Sequence, residues 1–165
     1  YLRLFLTVRV SKFLIKKIPF DIEQFPHKDI VQWYFSDPST WKSIRVRHIW
    51  EAYKVTRKKW SGLVREEIEI DITKEEFDQL WFHVENHFLE KTRYFIPYEW
   101  AIIELDVYKN LQWLKTAEVE FSSKRDAKKF VVPEWFDEEL TTMREATNSY
   151  IAKHGLDGEL LWLLG

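Results

Sequence analysis

Charged and apolar residues alternate along several segments of this chain, and the sign of the charge is constant within each segment. The charges are basic in Ile44-Arg45-Val46-Arg47 and acidic in Glu67-Ile68-Glu69-Ile70-Asp71, Glu104-Leu105-Asp106 and Glu118-Val119-Glu120. Successive side chains of a β-strand point to opposite faces, so each segment is predicted to be a strand with one charged and one apolar face. If these strands close into a barrel, the charged faces can line one polar interior. Bases would then bind a polyanion there, and acids would hold a divalent cation.

Composition indicates one folded domain over residues 1–165. Hydrophobic residues make up 45% of the chain and nine residues are Trp, which is enough for a substantial core. The net charge is −2, so no overall field favours nucleic acid and any polyanion site must be local. The absence of Cys excludes disulfides and thiolate metal sites. With no apolar run long enough to span a bilayer, we expect a cytoplasmic protein that binds neither nucleic acid nor a membrane.

Turn signals and periodicity predict an α+β fold with about eight strands and three helices. A capping box at Thr73 and Glu76 marks the start of one helix. Mostly short connections favour an antiparallel barrel or a strongly curved sheet with peripheral helices. The predicted strands are 2–18, 29–35, 43–50, 51–59, 64–72, 91–97, 99–108 and 113–121, and the predicted helices are 74–89, 123–130 and 139–154.

The basic residues of the predicted strands are candidates for binding phosphate. A guanidinium matches the geometry of phosphate oxygens and a lysine adds a point charge. The alternative is that these residues form the solvated face of an amphipathic sheet, because antiparallel sheets often have one wet face. The set consists of Lys12, Arg45, Arg47, Arg57, Lys59, Lys91 and Arg93.

The acidic residues are candidates for holding Mg²⁺ or Mn²⁺, which prefer carboxylate and water ligands. Glu118 and Glu120 point the same way, and Asp106 is one short hairpin away, so all three could meet one ion. Glu67 and Glu69 belong to the same acidic group. The alternative for these carboxylates is cross-strand salt bridging to the basic strands.

Other chemistry has weaker support. His83 and His87 are four residues apart on a predicted helix, but Val84 stands where a metalloprotease helix carries Glu, so the pair is interpreted as helix surface. The Trp-rich stretches could stack bases, although large aromatic side chains more often pack in or around a core.

The stretch from Val10 to Gly155 resembles the CYTH superfamily, also called triphosphate tunnel metalloenzymes. The superfamily includes thiamine triphosphatases, inorganic triphosphatases and class IV adenylate cyclases. The order and spacing of the matching segments agree over most of the chain. These segments are Lys12-Phe13-Leu14-Ile15-Lys16 with Pro19, Gln32-Trp33-Tyr34-Phe35, Ile44-Arg45-Val46-Arg47, Glu67-Ile68-Glu69-Ile70, Lys91-Thr92-Arg93-Tyr94, Glu104-Leu105-Asp106-Val107-Tyr108, Ala117-Glu118-Val119-Glu120-Phe121 and Pro133-Glu134-Trp135-Phe136 with Glu139-Leu140-Thr141.

The resemblance implies an eight-stranded antiparallel tunnel in which bases bind a triphosphate and acids hold a divalent ion. Its hallmark Glu-x-Glu-x-Lys is incomplete, because the two glutamates align with Val8 and Val10 while the lysine is kept as Lys12. We therefore expect metal-dependent hydrolysis of inorganic tripolyphosphate or of a nucleoside or thiamine triphosphate, with low activity that needs high metal, or none. The expected catalytic residues are Lys12, Glu67 and Glu69, and the two glutamates could orient the attacking water or a second ion. The alternatives are a binding module without turnover, an adenylate cyclase, and a structural protein whose charges face solvent.

Overall fold

The computed structural model describes residues 2–7, 9–35, 42–61, 64–84, 88–111 and 114–164. In this part of the chain nine antiparallel strands form one sheet in the order β1-β6-β5-β4-β3-β7-β8-β9-β2. The strands are β1 (Leu2–Thr7), β2 (Arg9–Leu14), β3 (His27–Tyr34), β4 (Lys42–Ile49), β5 (Ala52–Ser61), β6 (Val64–Ile72), β7 (Phe88–Tyr98), β8 (Ala101–Tyr108) and β9 (Lys115–Phe121). The helices are α1 (Lys74–Trp81), α2 (Lys124–Lys129), α3 (Asn148–His154) and α4 (Gly158–Leu164).

The N-terminal segment contributes both edge strands of the sheet. β1 pairs with β6 and β2 pairs with β9, and only Val8, which lies outside the described residues, separates the two strands. Two Cα steps span at most roughly 7.6 Å, so the sheet must curve until its two edges meet the same segment. The predicted antiparallel barrel with peripheral helices is confirmed. The single strand predicted over 2–18 is instead two strands that end at Leu14.

The outer face of the sheet carries the larger apolar core. Phe13, Tyr94, Leu105 and Val119 are buried there with other alternate strand residues. Part-buried aromatic residues of the segments 18–25 and 130–136 pack against this core. Since neighbouring positions in a strand point to opposite faces, the charged residues between these apolar ones face the interior of the curved sheet.

The interior is closed at one end by the C-terminal helices. Leu14, Leu89 and Tyr108 are fully buried and belong to one cluster with Ile151 of α3 and Leu160 of α4. The Tyr108 hydroxyl also hydrogen-bonds to Asn148 Oδ1, at the start of α3.

The other end of the interior is open. Ile102 is 49% exposed although its strand position has the parity of the buried Asp106, and Glu120 near the same end is also exposed. A ligand would therefore enter from the end that carries these two residues.

Two predicted helices are shorter than expected. The capping box of Thr73 and Glu76 is confirmed, but α1 ends at Trp81 and β7 begins at Phe88, where pairing with Trp33 extends the sheet. His83 therefore lies beyond α1, and His87 lies outside the described residues. The helix predicted over 139–154 is helical only in α3, because the preceding residues form turns.

The C-terminal α4 was not predicted. No helix among the described residues is long and apolar enough to cross a membrane.

Candidate functional site

The strand register gathers basic and acidic side chains on the interior face. Directly opposite residues of an antiparallel pair share a face. Arg93 is opposite Asp106 and Lys12 is opposite Glu118. On the far side of β3, Arg45 is opposite Thr56, which is itself opposite Glu69. The two groups lie on strands to either side of β3 and form two walls, here called the β7–β9 wall and the β4–β6 wall.

Ion pairs connect the β7–β9 wall into one network. Arg93 contacts the carboxylates of Glu104 and Asp106 and reaches Glu118, with 3.3 Å between Nη2 and Oε2. Lys12 Nζ lies 3.3 Å from the other oxygen of Glu118. Lys91 contacts Asp106. Three cations from two strands therefore share three carboxylates, and each cation is held in place without a bound ligand.

Burial and charge shift the pKa values along this wall. Burial lowers the pKa of Lys91 to about 8, because the charge of Asp106 offsets only part of the loss of solvent and Arg93 repels the ammonium. Burial opposes ionisation of Asp106, but the positive charges of Arg93 and Lys91 outweigh it and lower the pKa of this carboxyl. Burial also raises the pKa of Glu104 despite Arg93. Near neutral pH, Lys91 is charged but close to its titration range.

The β4–β6 wall is a second network of ion pairs. Arg45 Nη2 lies 3.3 Å from Glu67 Oε1, and Arg47 Nη2 donates to Glu69 Oε2 at 2.9 Å. Lys54 Nζ donates to Glu69 Oε1 at 2.7 Å. Burial alone would raise the pKa of Glu69, but its bond to Lys54 and the charge of Arg47 lower it. The two glutamates therefore act as anchors that hold the arginine side chains against the wall.

Two arginine donors on this wall lack an acceptor. The Nε atoms of Arg45 and Arg47 are buried and have no hydrogen-bond partner among the described residues. Buried donors are nearly always satisfied, so such atoms point to an acceptor beyond the described residues, such as a bound anion. Burial and the positive charges of Arg45 and Arg93 together lower the pKa of Arg47 to about 10, although Glu69 opposes them. The strand register places the two walls on the same interior face of the curved sheet, on either side of β3.

Arg57 does not belong to this interior, which corrects its predicted place among the phosphate-binding residues. It is exposed and lies opposite Ile68, on the outer face of the sheet. Strand β5 carries basic residues at both even and odd positions, so alternation alone does not show which of them face the interior. Lys54 and Thr56 are the polar residues of β5 with described side chains that share the face of Arg47.

Glu120 shares the face of Glu118 but is exposed at the open end. The side chain of Lys59 lies outside the described residues.

The sequence analysis missed several polar interior residues. Lys54 could have been found by the alternation rule, since the apolar Tyr53 and Val55 flank it. Gln32 and Tyr34 of β3 lie between the walls, with 3.1 Å from Gln32 Nε2 to the Tyr34 hydroxyl oxygen. Burial raises the pKa of Tyr34 to about 12, so it stays a neutral hydrogen-bonding group.

The predicted metal ligands have suitable oxygen chemistry but are not arranged as a metal site. Both oxygens of Asp106 accept from Arg93, and one also accepts from Lys91. Across the described ranges, no group of three His, Cys, Asp or Glu side chains is placed to hold an ion. The carboxylates Asp106, Glu118 and Glu120 therefore do not fit a divalent ion as they stand, since the protein's own cations occupy the first two.

Comparison with known proteins identifies a triphosphatase among the relatives. The chain is 37% identical over 124 residues to an inorganic triphosphatase from Nitrosomonas europaea, and the match covers 73% of this chain and 82% of that protein. No protein-family model matches the chain.

Solved structures have the same fold. A crystal structure of an inorganic triphosphatase is 31% identical with a TM-score of 0.66, and the match covers 87% of this chain and 93% of that one. A protein from Pyrococcus horikoshii is 18% identical with a TM-score of 0.55, and the match covers 78% of this chain and 94% of that one, which is a likeness of fold alone.

Proposed function

Since this chain belongs to the CYTH superfamily, we propose that it is a hydrolase that cleaves a triphosphorylated small molecule inside its charged interior. The relationship to an inorganic triphosphatase supports the reaction class. The two-walled interior supports the location, because it offers basic side chains on both sides of one enclosed space. The cytoplasmic location expected from the sequence stays a prediction.

The unsatisfied Nε donors of Arg45 and Arg47 carry the proposal. Each arginine has its Nη2 group on a glutamate and its Nε group buried without an acceptor. A phosphate oxygen placed between the walls would accept from both donors, as bonds between guanidinium and phosphate are short and charge-assisted. Two buried cationic donors that the described residues leave unsatisfied support an anion as the ligand of this wall.

The proposed roles follow from these positions. Lys12, Lys91 and Arg93 bind phosphate oxygens from the β7–β9 wall, and Arg45 and Arg47 bind them from the β4–β6 wall. Phosphoryl transfer depends mainly on positioning and on stabilising charge that develops on the transferred group. Glu67 and Glu69 fix the arginines and are proposed to orient the attacking water, and Lys12 is proposed to stabilise the terminal phosphoryl group.

Metal dependence follows from the family in general terms. We propose Mg²⁺ or Mn²⁺ for this chain, because the available donors are carboxylates and these ions prefer oxygen ligands. Asp106, Glu118 and Glu120 remain the proposed residues toward that ion, although the present ion pairs of the first two would have to rearrange.

The experiment is release of phosphate from tripolyphosphate with Mg²⁺ or Mn²⁺, repeated with EDTA. We expect release that EDTA abolishes and that Arg45→Ala reduces strongly. Arg125→Ala is the control, since Arg125 is exposed on α2. Tripolyphosphate that raises the melting temperature without being consumed would identify a binding module instead. The proposal would be overturned if tripolyphosphate were neither bound nor cleaved.

A further inference from the structure

The open end of the interior carries a cation between two aromatic rings. Lys28 Nζ lies 5.9 Å from the centroid of the Trp50 ring and 6.0 Å from that of Phe95, within the range of a cation–π contact. In the described part of the chain Lys28 forms no salt bridge, unlike the interior cations deeper in the sheet. The two ring faces stabilise the ammonium group without neutralising its charge, so Lys28 remains available to an anion.

The strand register connects this cation to the proposed phosphate-binding wall. Lys28 lies directly opposite Arg93 on the interior face, and Phe95 is the next interior residue after Arg93 on β7. Opposite Cα atoms of an antiparallel pair are about 4.5–5.5 Å apart. A ligand held by Arg93 and extending toward the open end would therefore meet Lys28 and the two rings next.

Trp50 occupies this position in an unfavourable backbone conformation. It has a φ of 53° in the hairpin between β4 and β5, where Gly, Asn or Asp is usual. Its N–H donates to the Asp29 carbonyl at 3.2 Å, which ties the hairpin to β3 beside Lys28. The ring nevertheless remains 64% exposed, so packing within the chain does not account for a large aromatic residue there. Glu99 has the same conformation in the hairpin between β7 and β8, with a φ of 51°, so the turn accounts for the backbone and only the exposed ring points to a ligand.

We propose that Trp50 and Lys28 form a subsite for a nucleobase joined to the bound triphosphate. The base stacks on the exposed face of Trp50, and Lys28 contacts the phosphate nearest to the sugar. Stacking tolerates any base, because every base has a π face. This subsite rests on the proposed function, and it extends the substrate class from inorganic triphosphate to nucleoside triphosphates.

The chain offers a matched control for Trp50. Trp100 is 53% exposed in the hairpin between β7 and β8, at the same end of the sheet. Its ring faces Phe121 and Phe130, with centroids at 6.1 and 6.5 Å, and those residues belong to the outer core or pack against it. A general effect of removing an exposed tryptophan should therefore appear when either Trp50 or Trp100 is replaced. An effect of the subsite should appear only when Trp50 is replaced.

The experiment is calorimetric titration with β,γ-imido ATP and β,γ-imido methyl triphosphate, which share a triphosphate ester and resist hydrolysis. Trp50→Gly removes the ring and suits the positive φ, so its melting temperature should not fall. We expect Trp50→Gly to weaken binding of the ATP analogue by about tenfold and to leave the methyl analogue unchanged. We expect Trp50→Tyr to keep most of the affinity and Trp100→Ala to keep all of it.

Three results would overturn the subsite. The first is equal affinity of the parent protein for both analogues. The second is equal weakening of both analogues by Trp50→Gly. The third is a loss of affinity for the ATP analogue in Trp100→Ala as large as that in Trp50→Gly. In all three cases binding of the methyl analogue would leave the proposed triphosphatase function standing. Failure of the parent protein to bind either analogue would also overturn the subsite, whereas the proposed function fails only if tripolyphosphate is neither bound nor cleaved, so the two failures are distinguishable.

Discussion

Arg93 donates to both carboxylate oxygens of Asp106, with 2.6 Å from Nε to Oδ1 and 2.7 Å from Nη2 to Oδ2. Lys91 contacts the same carboxylate, so one fully buried acid serves two cations. Bidentate contacts between guanidinium and carboxylate are among the strongest polar contacts in proteins. Breaking a buried ion pair from one side is costly, because the remaining charge is left without a partner.

Replacing Asp106 by Ala is therefore expected to lower the free energy of unfolding by about 3–5 kcal/mol. Urea unfolding measures this directly. Glu90→Ala is the control, because Glu90 pairs with Lys109 at 3.8 Å near the surface and should change stability by less than about 1 kcal/mol. Similar losses in the two variants would contradict a special contribution from the buried acid.

Arg47 and Arg57 lie on neighbouring strands but on opposite faces of the sheet. Arg47→Ala is expected to weaken tripolyphosphate binding by about 1.5–3 kcal/mol, the usual contribution of hydrogen bonds to charged groups. Arg57→Ala should leave the affinity unchanged, since its side chain is on the outer face. Isothermal titration calorimetry on both variants tests this difference. A comparable loss in Arg57→Ala would show that diffuse surface charge binds the anion.

The lowered pKa of Lys91 predicts opposite pH trends for binding and stability. The folded protein loses this proton at about pH 8, whereas the unfolded chain keeps it until about 10.5. Between these values the unfolded state binds more protons, so this residue makes stability rise with pH. Tripolyphosphate affinity should fall over the same range, because a phosphate-binding charge is lost.

Lys91→Met separates this residue from all other titrations. Both proteins share the ionisations of tripolyphosphate and of the remaining side chains, so only the difference between their pH profiles reports Lys91. Unfolding and titration experiments between pH 7 and 10 supply the two profiles. Parallel profiles for the parent and the variant would mean that Lys91 does not titrate in this range.

Val10 occupies a half-buried interior position opposite Glu120 and two residues from Lys12. Val10→Glu adds a carboxylate to this wall, and affinity for hard cations rises with ligand charge and number. The variant should therefore bind Mn²⁺ more tightly than the parent, as measured by the rise in melting temperature with Mn²⁺ concentration. The change also places a charge in a partly buried position, so stability without metal should fall.

Val10→Gln is the control, because Gln matches Glu in size and polarity but carries no charge. A gain in Mn²⁺ affinity that Gln reproduces would not come from a new carboxylate ligand. Loss of Mn²⁺ affinity in Val10→Glu would mean that this position is not beside the metal.

Alternation located most of the charged interior, because burial of one apolar face fixes the parity of every strand that has a clear pattern. Arg45 and Arg93 follow this rule, whereas Arg57 does not, since bases occupy both parities of its strand. The ion pairs of the two walls could not be predicted from the sequence, because they depend on which strands become neighbours in the sheet.

The helix boundaries depended on tertiary packing. The apolar spacing that predicted a helix through 89 ends in Phe88 and Leu89, which join the sheet instead. No local signal in the sequence reports that strand pairing competes with the helix at this point.

The split N-terminal segment also determines how this protein can be assembled. Lys12 of β2 lies opposite Glu118 of β9, so two strands that are more than a hundred residues apart in the chain must meet before this edge of the sheet is complete. Such distant pairing slows folding, since a long loop must close before its contacts form. Until then, β6 and β9 each present an unpaired edge on which another chain can add a strand. Strands β1 and β2 thus protect two edges at once, and until they pair with β6 and β9 the folding chain is most exposed to aggregation.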